Sequence, residues 1–99
     1  MYAVIATWTV PQARVLAQDR ELRARLIPPV EQLPGFVAGY STRVPNGGTW
    51  YEFTVFDSES AARAFMRGVG QDRPGQVEYG VQRSEVTLVE VVAVARAES

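Results

Sequence analysis

Glu52 stands inside a strand-like run, flanked by Tyr51 and Phe53, and is the residue in this 99-residue chain best placed to move a proton. A carboxylate partly withdrawn from water holds its proton more tightly and can accept one from a phenol or from a carbon beside a carbonyl. Arg43 offers a fixed cation for an enolate or other developing oxyanion. Trp8, Trp50 and Phe56 offer flat apolar walls to an aromatic ligand, and Ser41 a hydroxyl. Each also has a structural reading. Arg43 can pair with Glu52 or stack on Trp50, and such contacts perturb charged groups without any catalysis. Trp8 can serve core or interface packing, the commoner use of a tryptophan near a strand end.

The absences narrow the chemistry. The chain has no histidine and no cysteine. Disulfides, thiolate nucleophiles, thiolate metal sites and a proximal haem histidine are therefore excluded. No clustered Asp/Glu spacing suggests a carboxylate metal site, so the expected chemistry uses neither metal nor organic cofactor. All ten basic residues are arginine, interspersed with acids to a net charge of −1. No basic stripe results, which argues against a nucleic-acid partner. The opening Met1-Tyr2-Ala3-Val4-Ile5-Ala6 has no basic flank and no cleavage site, so it reads as a strand rather than a signal peptide. No apolar run reaches membrane-spanning length. The expected location is the cytoplasm, with no membrane partner.

The elements that must position these residues follow from local pattern. Residues 2–9 are rich in β-branched and aromatic types and predict a first strand. Thr9 and Gln12 form a candidate capping box for a helix reaching about Ile27, with Pro11 tolerated in its first turn. Val15, Leu16, Leu22 and Leu26 supply its apolar residues. Asp19–Arg23 and Glu21–Arg25 are i,i+4 pairs on its wet side. Pro28-Pro29 is expected to end the helix, with one further short turn through Val30 and Leu33. Gly35 opens a second strand over 36–44. Pro45-Asn46-Gly47-Gly48 predicts a hairpin with a type I′ turn, leading into a third strand over 49–56. Asp57 or Ser58 caps a second helix carrying Ala61, Ala62, Phe65, Met66 and Val69 on its apolar side. A loop over 71–80 precedes a last strand over 86–95. The order is βαββαβ in a single domain spanning 1–99.

With Asn46 and Gly47 central, the hairpin sets Arg43 opposite Trp50, Ser41 opposite Glu52 and Tyr40 opposite Phe53. One face then carries Phe36, Ala38, Tyr40, Tyr51, Phe53 and Val55. The other carries Ser41, Arg43, Trp50, Glu52, Thr54 and Phe56. The outer strands are apolar on both sides: Val86, Leu88, Val92 and Val94 against Val89, Val91, Ala93 and Ala95, and Val4, Ala6 and Trp8 against Ala3 and Ile5. A sheet with helices on one face and water on the other should alternate apolar and polar residues. Each large apolar side chain left wet forgoes about 1.5–3 kcal/mol. Two helices cannot cover both faces, so a homodimer is expected to do so.

The βαββαβ order, the Pro34-Gly35-Phe36 entry to strand two and the Phe56-Asp57-Ser58-Glu59 passage into the second helix resemble the antibiotic biosynthesis monooxygenase family over the whole chain. The resemblance implies an α+β, ferredoxin-like monomer with a four-stranded antiparallel sheet, pairing into a dimeric α/β barrel. It also implies a pocket between sheet and helices. Quinone-forming members that need no cofactor place Tyr, Asn, Trp and Tyr at positions held here by Ser41, Glu52, Phe56 and Ala62. Haem-degrading members need a histidine that this chain lacks. What the resemblance implies is a homodimeric oxygenase acting without cofactor on an aromatic or polyketide-like molecule. In it, Glu52 and Arg43 are catalytic, and Trp8, Ser41, Trp50 and Phe56 contact the substrate. The four departures keep two alternatives open: a non-catalytic binding or accessory protein, and a cyclase or isomerase needing only acid–base groups.

Overall fold

A computed structural model of the chain describes residues 1–69 and 82–97. The loop expected over 71–80 lies outside the described residues. Strand β1 runs Tyr2–Thr9. A 3-10 turn over Gln12–Arg14 leads into α1, Val15–Glu21, then a π-helical turn, Leu22–Leu26, and α2, Ile27–Glu31. β2 is Phe36–Arg43, β3 Thr49–Phe56, α3 Glu59–Val69 and β4 Gln82–Glu90. The four antiparallel strands form one sheet in the order β2-β3-β1-β4, the ferredoxin-like α+β arrangement.

The hairpin register is the expected one: Arg43 lies opposite Trp50, Ser41 opposite Glu52 and Tyr40 opposite Phe53. Its turn differs. Gly47 N–H donates to Val44 O at 3.0 Å, so Pro45 and Asn46 are the central residues. Asn46 has φ 60°, the mark of a type II turn with proline first, rather than type I′. The strands stay in register because Val44 N–H also reaches Thr49 O at 3.0 Å.

Four further expectations are corrected, each for a physical reason. Thr9 does not cap the first helix, because it is taken up in β1 opposite Thr49. Pro11 stands at the N-cap, with no side-chain cap bond. Leu16 turns outward and is 72% exposed, while Val15 packs against the Val10, Leu22 and Trp50 cluster. Pro28-Pro29 does not stop the helix. Neither can donate, but the chain widens just ahead of them, where Ile27 N–H reaches back five residues to Leu22 O. The wider turn accommodates the rings, and the prolines occupy the first positions of α2, where a donor is not needed. The last strand is displaced toward the N-terminus, to 82–90. Its partner β1 begins at Tyr2, so the ladder runs out where Val91 N–H meets Met1 O at 2.9 Å. Val92 and Val94 beyond it are 91% and 52% exposed.

A bulge between Phe36 and Ala38 moves Phe36 to the helix-covered face, opposite Phe56. There the two rings meet edge to face, 6.2 Å between centroids. The core has two parts on this face. Val4, Phe56 and Ala62 form one, packed by Phe36, Phe65, Met66, Val86 and Leu88. Val10, Leu22 and Trp50 form the other, packed by Trp8, Val15 and Leu26. Ser58 caps α3 as expected, accepting from Ala61 N–H at 3.2 Å. The expected helix pairs form as well, Asp19–Arg23 at 3.2 Å and Glu21–Arg25 at 3.8 Å.

Gly35 joins the helical segment to β2 at φ +81°. A Cβ there would stand 2.6 Å from Asp57 Oδ1 and 2.9 Å from the Ala61 Cβ. Gly35→Ala therefore combines a left-handed backbone with a clash. A destabilisation of about 1–3 kcal/mol is expected, a fall in Tm on the order of 10 °C. A thermal melt unchanged by this substitution would contradict the close approach of β2 and α3.

Candidate functional site

On the helix-covered face, side chains alternate so that Ser41 and Arg43 of β2 lie beside Glu52 and Trp50 of β3. Above them run the π turn and α2. Between the two lies a cleft of about 720 Å³. Ser41, Arg43, Trp50 and Glu52 line its sheet side, Leu22, Leu26, Ile27 and Val30 its helix side, and Phe65 contributes from α3. Trp50 is 4% exposed, Glu52 is half-buried, and Ser41 and Arg43 are exposed. The Arg43 guanidinium carbon stands 5.7 Å from the centre of the Trp50 ring, a cation–π distance. Arg43 also borders a second cleft of about 440 Å³, formed with Gln12, Val15 and the 44–47 turn.

Trp8 and Phe56 lie elsewhere. Trp8 faces Trp50 across the β1–β3 ladder and packs on the Val10 cluster; it is not among the residues lining the larger cleft. Phe56 is fully buried beneath α3, its ring 5.3 Å from that of Phe65, and Ala62 beside it is fully buried too. The indole nitrogens of Trp8 and Trp50 are both buried with no hydrogen-bond partner. An unpaired buried donor costs about 1–3 kcal/mol.

The helix side of the cleft is not what the sequence predicts, because Pro28-Pro29 signals the end of a helix. An opposing signal is present. Leu22, Leu26 and Val30 recur every four residues straight through the prolines. Chemically, the sheet wall of the cleft sets the Glu52 carboxylate, the Arg43 guanidinium and the Ser41 hydroxyl against the apolar helix side, with Asp19, Arg23 and Glu31 also among its lining residues, enough to orient a planar molecule and exchange one proton. Among the described residues, no group of three or more His, Cys, Asp or Glu side chains is placed to hold a metal ion, and no helix is long and apolar enough to cross a membrane.

No protein-family model matches the sequence, and no curated protein matches it. Solved structures do share its fold. One is a Deinococcus radiodurans protein assigned to the antibiotic biosynthesis monooxygenases, with TM-score 0.76 and 16% identity over 100% of both chains. Another is SnoaB, a cofactor-independent oxygenase from Streptomyces nogalater, with TM-score 0.64 and 20% identity over 94% of each chain. A third is MhuD, a haem degrader from Mycobacterium tuberculosis solved with two haems in its active site, with TM-score 0.68 and 19% identity over 97% of this chain and 100% of that one. The chain thus has the fold of the antibiotic-biosynthesis-monooxygenase-like proteins.

Proposed function

We propose that this chain is a homodimeric oxygenase that works without metal or organic cofactor on an aromatic or polyketide-like small molecule held in the larger cleft. The observation that carries the reading is the gathering of Ser41, Arg43, Trp50 and Glu52 on one cleft wall, in a fold shared with a cofactor-independent oxygenase. In this reaction a ring methylene loses a proton to Glu52, and Arg43 holds the negative charge that spreads onto a neighbouring oxygen. The carbanion adds dioxygen and a proton to give a hydroperoxide, and loss of water leaves a carbonyl. The substrate supplies the electrons.

Glu52→Gln keeps the shape and removes the base, so oxygen uptake with an anthrone-type substrate is expected to fall by about 10²–10⁴-fold. Uptake unchanged in the variant would dismiss Glu52 as the base. A specific observation supports the second reading, a binding or accessory protein: Phe56 and Ala62, at two positions where quinone-forming members carry Trp and Tyr, are fully buried and cannot touch a ligand. Binding of such a substrate with no oxygen uptake by the unmodified protein would favour that reading. Conversion of the substrate without oxygen uptake would favour a cyclase or isomerase.

A further inference from the structure

The Trp8–Trp50 pair leaves two polar groups that packing does not account for. Both tryptophans of the chain meet in one cross-strand pair, and both leave a buried indole N–H without a partner. Random packing rarely strands two donors side by side, since a buried donor is normally satisfied. Trp50 itself is 4% exposed and yet lines the cleft. The third polar group beside it, Arg43, lies over its ring. Indole and guanidinium are both donors with no acceptor capacity. Trp50 and Arg43 together therefore present donors alone.

We propose that Trp50, backed by its cross-strand partner Trp8 and joined by Arg43, is an acceptor-oxygen subsite of the cleft that selects ligands bearing a ring carbonyl or phenolate and discriminates against the same ring without one. The proposal rests on the reading of the cleft as an aromatic-ligand site and adds its specificity. Leu22 and Leu26 pack against this cluster and also line the cleft. The Trp50 N–H is buried in this structure, so a ligand oxygen meets it only when the packing around it shifts. Glu52 is two residues along the same face of β3, roughly 7 Å away by strand geometry. A bound ring then has its carbonyl at the Trp50 end and its acidic hydrogen toward Glu52. A site built to hydrogen-bond one ligand group penalises the analogue lacking it, because the donors are again left unpaired.

The test compares an anthraquinone monosulfonate with the matching anthracene monosulfonate, titrated by calorimetry into the full chain. The quinone is expected to bind roughly tenfold more tightly, the size of one well-made hydrogen bond, and Trp50→Phe to bring the two affinities together. Because Trp50→Phe removes a core residue, the unmodified protein supplies a second readout. With nitrogen-labelled tryptophan, an indole N–H resonance should move downfield on adding the quinone and stay in place on adding the anthracene. Equal affinities with no selective shift would overturn the donor subsite while leaving the cleft as an aromatic-ligand site. Failure of both probes to bind would overturn the cleft reading and the subsite with it.

Discussion

Phe56→Ala is expected to cost about 3–5 kcal/mol of stability, a large share of the roughly 5–15 kcal/mol available to a small domain. The ring is 0% exposed and is gripped from both sides, by Phe36 edge-on at 6.2 Å and by Phe65 at 5.3 Å. Val4 and the Ala62 methyl complete the enclosure. Truncation leaves a cavity that these neighbours cannot close, since Phe36 is fixed by the β2 bulge and Phe65 by the capped helix α3. The chemical denaturation midpoint should fall accordingly, with little change in the slope of the unfolding curve. Phe56→Leu, which keeps most of the volume, should lose much less. A loss below about 1 kcal/mol for the alanine variant would show that this ring is not the centre of the α3 core.

That expectation differs from the one the sequence suggests, and the difference shows what sequence can and cannot carry. Period-two alternation places Phe56 on the same face as Trp50 and Glu52, and the structure agrees. Alternation does not say which part of that face lies under a helix and which lies under a cleft. α3 covers the Phe56 end, whereas the helix wall beside Glu52 stands off the sheet. The hairpin register was readable because Pro-Asn-Gly leaves few ways to connect two strands, and it held even though the turn type changed. Phe36 was misplaced because a bulge adds one residue to one strand and reverses every face beyond it. No residue type in Phe36-Val37-Ala38 announces that. The helix through Pro28-Pro29 was hidden by a rule that holds for α-helical spacing and lapses at a π turn. The run at 91–95 looks like strand by composition, but a strand needs a partner, and β1 has no residue left to offer.

Ile5→Glu is expected to convert the proposed dimer to a monomer, raising its dissociation constant by at least about 100-fold. Ile5 sits on the face of the sheet opposite the helices, in the central strand β1, between Phe53 on β3 and Thr87 on β4. The apolar surface continues around it. Phe53, Val55 and Val89 are half-buried, while Tyr40 and Tyr51 are 63% and 39% exposed. None of the described helices packs on this side, and a second sheet laid against it would remove these side chains from water. In a symmetric dimer one substitution acts twice. Losing the burial of one isoleucine forfeits about 1.5–3 kcal/mol, so two lost burials amount to roughly 3–6 kcal/mol, or about 10²–10⁴ in the dissociation constant. A carboxylate in an apolar interface adds its own desolvation penalty. In an isolated monomer the same residue is half in water already, and the substitution would cost little. Light scattering at micromolar concentration separates the two cases: a dimeric wild type beside a monomeric, still folded Ile5→Glu variant is the expected result. A wild type that is monomeric under these conditions would remove the dimer. The apolar face would then need another partner to cover it.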